Sequence, residues 1–404
     1  MRRGNASAVL RAVVTEGPLP RADIARSTGL SAPSVTKLTA LLVQAGLLRE
    51  HAPAEATQGR PRVPVGVDPS GAVALGVHIG LLRTTLGLVC LDGTVLAQRV
   101  LDHEAPGDGG LAPRRIADQA ADGAREFLAD RLGGRRLLGT GISLGGWVDG
   151  ERGVVVEHGA LGWRDVRLVD LLDGRLPGPV RLEQSVRAAA SAELWFGAGR
   201  EVDDFVHIFF GNVLGAALVV DRAVHRGPGA AAGGIEHLPA TDEPGARCPR
   251  CGTGCLSLLA SDTAVVAAAR ARGLRLPDAG RLPVEHLVAA ARPEGSGIGD
   301  PRAQDVLRRR ARHAGRAVAT VVDLLNPSRV VLAGGILAAD EYLDDLRAEV
   351  TLRAHRGWDA ATRVVPATFG TGALLVASAM PLLEAVYEDP IGTVGPGGRA
   401  VAAS

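Results

Sequence analysis

The first seventy residues alternate short apolar runs of helical period with clear breaks. Ala8 to Val14 is periodic and stops at Gly17-Pro18, which a helix does not easily cross. Ala22 to Thr28 reads as a second short helix closed by Gly29. Ser31 suits an N-cap, and Ala32 and Pro33 fall in the first turn of a third helix that runs to about Ala45 and ends at Gly46. Within it Val35, Leu38 and Leu42 recur at i, i+3 and i+7 and so face a core. At about 100° per residue, Pro33, Thr36, Lys37 and Ala40 lie on the opposite side. Leu47–Glu50 and Arg62–Val67 read as two strands flanking a polar loop, and Asp68-Pro69-Ser70-Gly71 as a turn and domain boundary.

Beyond that turn, strands and helices alternate. Val73–Ile79, Thr84–Cys90 and Thr94–Val100 are strand-like, with Asp92-Gly93 as a hairpin turn. Helices are expected near 113–131, 186–197, 301–325, 338–355 and 371–387. Further strands are expected at Leu137–Ser143, Phe205–Phe210, Leu214–Val220 and Arg329–Leu332. This order predicts an α/β body of two lobes with a cleft between them. The expected layout is a head over 1–70, a first lobe over 71–185 joined by the helix at 371–387, a second lobe over 186–370, and a loose Gly/Pro/Ala-rich tail over 388–404.

Composition narrows the function. The chain has 404 residues, 46% of them apolar but only 3% aromatic, so its cores are built from Leu, Val and Ala. Net charge is +1, which excludes a chain that binds polyanions with its whole surface. The basic charge is local: residues 1–62 hold nine Arg/Lys against four Asp/Glu. No apolar run approaches the roughly 20 residues that span a bilayer, and Met1–Asn5 is not followed by a signal-peptide core. A cytoplasmic protein with no membrane partner is expected.

Three short helices followed by a strand pair fit a winged helix-turn-helix, whose third helix enters the major groove of duplex DNA by its N-terminal half. Lys37 suits a phosphate or guanine, Thr36 a base edge, and Pro33 or Ala40 a thymine methyl, with Ser34 beside them. In the wing, Gln58-Gly59-Arg60-Pro61-Arg62 sets Arg60 and Arg62 on a stiff backbone suited to a narrow minor groove. A solvated helix bundle with a proline-rich linker is the plain alternative.

His237, Cys248, Cys251 and Cys255 form a His-x10-Cys-x2-Cys-x3-Cys set. One imidazole and three thiolates suit tetrahedral Zn²⁺ with no open position, a structural site. Free buried thiols or a Cys248–Cys251 disulfide are the alternatives.

The chain resembles the ROK family of repressors, open reading frames and kinases. The resemblance rests on Asn5, Arg21 to Ser31, Gly46-Leu47 and Gly59-Arg60-Pro61 in the head. In the body it rests on Gly162-Trp163, Pro179-Val180, Ala188–Ala190 through Glu193, Phe196-Gly197, Arg226-Gly227, His237, the cysteines, Asn326-Pro327 and Gly334-Gly335. It implies the actin-like, two-lobed fold of sugar kinases, with sugar bound in the cleft. It also implies that zinc fixes the loop bearing His237.

The resemblance further implies a lost kinase. The family's catalytic Asp, in a Glu-Asn-Asp run, falls on Ser185 of Glu183-Gln184-Ser185, and a serine hydroxyl is a poor general base. The first phosphate loop, Asp-x-Gly-Gly-Thr in the family, reads His78-Ile79-Gly80-Leu81-Leu82. The second, Gly-Thr-Gly-x-Gly, reads Gly211-Asn212-Val213-Leu214-Gly215. The family's sugar-contacting Gly-Glu-x-Gly-His run is Gly233-Gly234-Ile235-Glu236-His237 here. Gly146, Gln184, Ser185, Arg187, Glu236 and His237 are therefore the effector-site candidates. Arg187 suggests an anionic ligand such as a sugar phosphate or sugar acid; a salt bridge between Arg187 and Glu236 is the structural alternative.

The expectation is a sequence-specific transcriptional regulator of carbohydrate-related genes, a repressor rather than an enzyme. It should bind a DNA operator as a homodimer or homotetramer and respond to a sugar, sugar phosphate or sugar acid. A divergent sugar kinase with an accessory DNA-binding domain, and a constitutive DNA-binding protein with a dead cleft, are the competing readings.

Overall fold

The computed structural model describes residues 2–52, 63–103, 111–241, 247–277, 283–293, 299–355, 357–370 and 372–394. The wing arginines Arg60 and Arg62 lie outside them. The chain divides into two units, 1–196 with 369–404 and 197–368.

The first unit opens with α1 (Arg2–Glu16), β1 (Leu19–Pro20), α2 (Arg21–Thr28) and α3 (Ala32–Gln44), then β2 (Leu48–Glu50) and β3 (Pro64–Val67). α2 ends because Gly29 adopts the left-handed conformation (φ 68°) open to glycine. Ser31 precedes α3 with extended backbone and Pro33 sits in its first turn, as expected, but Ser31 makes no side-chain cap; its hydroxyl pairs with Ser34 Oγ at 2.8 Å. Strands β1, β3 and β2 form a small antiparallel sheet, the base of the wing.

The first lobe follows as β4 (Ala72–Ile79), β5 (Arg83–Cys90), β6 (Val95–Asp102), α4 (Pro113–Arg131) and β7 (Arg136–Leu144). Next come β8 (Trp147–Asp149), β9 (Val154–His158), β10 (Trp163–Val166), α5 (Leu168–Leu172), β11 (Val180–Gln184) and α6 (Ser185–Phe196). Its main sheet runs β11-β7-β4-β5-β6, the first three strands parallel and the last two antiparallel. β8, β9 and β10 make a separate three-stranded sheet.

The second unit contains β12 (Phe205–Phe210), β13 (Leu214–Val220), β14 (Ala223–His225), β15 (Pro239–Thr241) and β16 (Gly254–Cys255). Then come α7 (Leu256–Ala260), α8 (Asp262–Ala271), α9 (Pro283–Ala291), α10 (Pro301–Leu325), β17 (Arg329–Gly334), α11 (Leu343–Arg353), α12 (Ala360–Arg363) and β18 (Val364–Pro366). Its sheet, β14-β13-β12-β17-β18, repeats the first lobe's topology: an antiparallel meander extended by two parallel strands. That repetition is the actin-like pattern. Its core packs α8, α9, α10 and α11 on one face of the sheet through residues such as Val206, Ile208, Leu307, Val318 and Leu346.

The chain returns to the first unit as α13 (Ala373–Glu388) and α14 (Pro390–Val394). Two boundaries differ from expectation. Residues 186–196 lie in the first unit, because α6 packs along α13 with Ala188, Ala189 and Ala377 buried in contact. The start of the expected tail is helix α14, begun by Pro390, with Asp389 Oδ1 accepting from Gly392 N at 2.9 Å and Ile391 packed on the core; residues 395–404 lie outside the described ones.

One hydrophobic core runs through the head and the first lobe. It joins Ala6, Leu10 and Val13 of α1, Ile24 of α2 and Leu42 of α3 to Ala74, Val89, Trp195, Ala379, Leu383 and Tyr387. Ser7 Oγ donates to Tyr387 O at 2.6 Å, Tyr387 Oη donates to Leu91 O, and the Arg11 guanidinium lies 4.8 Å from the centre of the Trp195 ring. Among the described residues, no helix is long and apolar enough to cross a membrane.

Candidate functional site

The third helix of the head behaves as its periodicity predicts. Val35, Leu38 and Leu42 are buried, and Pro33, Thr36, Lys37 and Ala40 are exposed along the opposite face, with Ser34 half-buried. Thr36 Oγ1 donates to Ala32 O at 2.9 Å, which leaves the hydroxyl oxygen as an acceptor. Arg21 fixes the helix from behind: its Nε donates to Thr39 Oγ1 at 3.0 Å and its Nη2 to Glu50 Oε1 at 2.6 Å. Leu41 and Gln44 are exposed as well and extend this face toward the C-terminus of α3.

Of the effector-site candidates, Gly146, Gln184, Ser185 and Arg187 belong to the first unit and Glu236 and His237 to the second. Gly146 has φ +81°, and a Cβ there would lie 2.4 Å from Glu157 O, so only glycine fits between β7 and β8. Gln184 ends β11 and Ser185 begins α6, both buried. Gln184 Oε1 accepts from Arg187 N at 2.9 Å, capping the first turn of α6.

Arg187 is not a free anion receptor. It is 3% exposed and donates Nε to Glu183 Oε1 at 2.9 Å and Nη2 to Val148 O at 2.7 Å. It forms an ion pair with Glu183 at 2.8 Å. The i, i+4 spacing of Glu183 and Arg187 at the head of a helix was the available signal. Glu183 Oε1 also accepts from Gln184 N at 2.8 Å, so the carboxylate nearest to Ser185 in sequence is already engaged.

The two segments that resemble phosphate loops make local contacts within their own units. Gly80 N donates to Arg83 O at 2.9 Å, making an ordinary β4–β5 turn. Half-buried His78 pairs Nδ1 with Ser143 Oγ at 3.0 Å, and Ser143 Oγ meets Ser378 Oγ at 2.7 Å; desolvation of its ring pulls the His78 pKa down to about 4. In the second unit Gly211 O accepts from Asp262 N at 2.9 Å, and Arg310, 2% exposed, donates Nη2 to Asp262 Oδ1 at 2.5 Å. A Cβ on Gly335 would lie 2.5 Å from that same Oδ1, and Gly334 has φ +89°, so both glycines answer to the turn itself. Sequence reasoning missed this buried pair because its members stand far apart in the chain.

His237, Cys248, Cys251 and Cys255 come together as their spacing predicts, their ligand atoms all within 4.8 Å of one another. The β15–β16 pairing, Pro239 opposite Cys255, brings the His237 segment to the cysteine loop. Cys248 N donates to Thr253 O at 2.9 Å, and Gly252 N to Cys248 O at 2.8 Å, folding that loop around its thiols. Metal–sulfur bonds of about 2.3 Å in a tetrahedron put ligands about 3.8 Å apart, so this donor set fits a tetrahedral ion. Glu236, beside it, is half-buried, and its carbonyl accepts from Ser257 N at 2.9 Å.

Comparison with known proteins agrees with this anatomy. The ROK family profile matches residues 74–380, and that of the IclR helix-turn-helix domain matches residues 4–52. A transcriptional regulator of Mycobacterium tuberculosis is 35% identical over 96% of this chain and 87% of its own length. The N-acetylglucosamine repressor of Escherichia coli O157:H7 is 28% identical over 84% and 82%. Among solved structures, a ROK family transcriptional regulator, a homologue of the E. coli MLC protein, superposes with a TM-score of 0.76 at 26% identity, covering 96% of this chain and 97% of its own. A ROK family glucokinase from Streptomyces griseus superposes with a TM-score of 0.60 at 28% identity over 76% and 98%. The glucokinase leaves about a quarter of this chain uncovered, whereas the regulator covers nearly all of it. With a helix-turn-helix ahead of an actin-like body, the chain belongs to the ROK family.

Proposed function

We propose that the protein is a sugar-responsive transcriptional repressor whose kinase-like body binds a carbohydrate and transfers no phosphate. The observation that carries this reading is one pairing. A helix exposes Pro33, Thr36, Lys37 and Ala40 at the face a major groove would meet, while the family's general-base position is Ser185, next to a carboxylate held by Arg187. We assign effector-binding roles to Gly146, Gln184 and Ser185 in the first unit and to Glu236 and His237 in the second; Arg187 positions rather than binds. Arg60 and Arg62 are assigned to the minor groove. His237, Cys248, Cys251 and Cys255 hold Zn²⁺, which cross-links the β15–β16 segment and supplies no open coordination position. Two heads in a homodimer or homotetramer would read a repeated operator.

Selection of genomic DNA fragments by the purified protein, with and without sugars, tests this. Enrichment of one motif near carbohydrate genes, released by a single sugar class, is the expected result. A ligand acts only through different affinities for two states, so release must be matched by weaker sugar binding on DNA. ATP consumption on a hexose panel at rates typical of sugar kinases would reverse the reading in favour of an enzyme.

A further inference from the structure

The chain has four tryptophans, and three are buried with the indole N–H bonded to a named acceptor. Trp163 donates to Leu111 O, Trp195 to Glu384 Oε1 and Trp358 to Pro327 O. The fourth, Trp147, is 42% exposed, in a protein with few aromatics to place anywhere. Its position is tightly determined. Gly146 before it tolerates no Cβ. Val148 after it is buried in the first-lobe core, and its carbonyl is held by Arg187 at 2.7 Å. The strand register shifts between Trp147 and Val148, an irregularity of the kind that re-aims side chains beside functional sites.

Directly across the sheet, Trp147 stands opposite Glu157, and Glu157 opposite Arg164. Cross-strand partners share a face, so an indole, a carboxylate and a guanidinium form one row. Arg164 Nη2 holds Glu157 Oε1 at 3.2 Å. The next residue, Asp165, has φ +51°, a conformation that non-glycine residues rarely adopt and that is enriched at functional sites.

We infer that this row is the sugar-selecting wall of the effector site, with the Trp147 indole stacked on the C–H face of a pyranose and Glu157 accepting from its hydroxyls. A flat apolar surface beside a small number of oriented polar groups is the composition of a small-molecule site, and a pyranose presents the matching combination of apolar face and hydroxyl edge. Arg187 ties this wall to Gln184 and Ser185, because one guanidinium bonds both the Val148 carbonyl and Glu183, the residue that precedes them. The inference rests on the sugar-responsive reading and adds the residues that choose the sugar.

The buried state of the other three indoles supplies the test. Glucose, N-acetylglucosamine, N-acetylglucosamine 6-phosphate and xylose are titrated into the full-length protein while melting temperature and tryptophan emission are followed. The sugar that raises the melting temperature should also blue-shift the emission. Trp147→Leu should abolish the emission change and weaken binding of that sugar at least about tenfold, about 1.4 kcal/mol. Trp147→Phe should keep part of the affinity, and Glu157→Gln should alter the ranking of the sugars. The melting temperature without sugar checks that each variant is folded. A sugar that stabilises Trp147→Leu as strongly as the wild type, or leaves wild-type emission unchanged, overturns the inference while the sugar-responsive reading stands. Failure of every sugar to shift melting or operator binding overturns both.

Discussion

Lys37 is the chain's single lysine, and it projects from the exposed face of α3. A lysine there acts as a point charge on phosphate, so Lys37→Ala should weaken binding to all DNA sequences alike. The slope of log affinity against log salt should fall by about 0.9, one released counterion. Binding titrations at several salt concentrations read this directly, and a changed sequence preference with an unchanged slope would assign Lys37 to a base instead. A second residue-scale expectation concerns the Glu183–Arg187 pair. Arg187→Met leaves a buried carboxylate without its partner and should cost about 3–5 kcal/mol in urea unfolding. Glu183→Met together with Arg187→Met should recover much of that loss, since neither charge then remains in the core. The pair also shows what a sequence withholds. The exposed face of α3 was legible because helical period alone decides it. The pairing of Arg187 with Glu183 was signalled only weakly, by an i, i+4 spacing that straddles the end of β11 and the start of α6, because the strand-to-helix junction decides whether the two side chains meet.

At the scale of elements, β12 carries a titratable group through the middle of a sheet. His207 is 1% exposed, its Nδ1 has no hydrogen-bond partner among the described residues, and burial pulls its pKa down to about 4. The unfolded chain would bind that proton near pH 6.5, so the unfolded state holds more protons between pH 6.5 and 4. Stability from this group is therefore complete above about pH 6.5 and is lost as pH falls toward 4, by up to about 3 kcal/mol. His78 on β4 acts in the same direction in the same window. His207→Leu removes both the proton linkage and the orphaned nitrogen. Its melting temperature should match or exceed the wild type at pH 7 and decline less between pH 6.5 and 4. The proposed zinc site bears on the β15–β16 segment: on that proposal Cys248→Ser should cost one equivalent of zinc by elemental analysis and make the segment sensitive to protease. Long periodic elements such as α4 and α10, and apolar strands such as β12 and β13, were legible in the sequence. The three short strands β8, β9 and β10 were not, since three to five residues with one exposed face carry too little pattern to stand out from loop. The Trp147 row was lost with them.

For the whole molecule, the seventy N-terminal residues looked like a separable domain because a turn, Asp68 to Gly71, ends a complete helix-turn-helix pattern. Their packing argues otherwise. Ala6, Leu10 and Val13 on α1 share one core with Trp195, Ala379, Leu383, Val386 and Tyr387, residues from the other end of the chain and from α6. That contact depends on a helix about 370 residues downstream, a non-local pairing that local periodicity does not report. Its consequence is thermodynamic. Burial of apolar side chains stabilises by about 25 cal/mol per Å² removed from water, and a fragment of residues 1–70 forfeits that burial along one whole face of α1 while retaining the entropy cost of ordering it. The isolated fragment should therefore melt broadly, with α1 amides exchanging rapidly, and bind operator far more weakly than the full chain. Within the intact protein, Tyr387→Ala removes the ring that packs on Trp195 at 4.4 Å between centroids and the hydroxyl that donates to Leu91 O. It should lower amide protection in α1 and α13 together, by hydrogen exchange, and leave β12 and α10 in the second unit protected. A sharp, native-like transition in the 1–70 fragment, or loss of protection in α13 with α1 unaffected, would show that the head folds on its own account and that the shared core is only a resting contact.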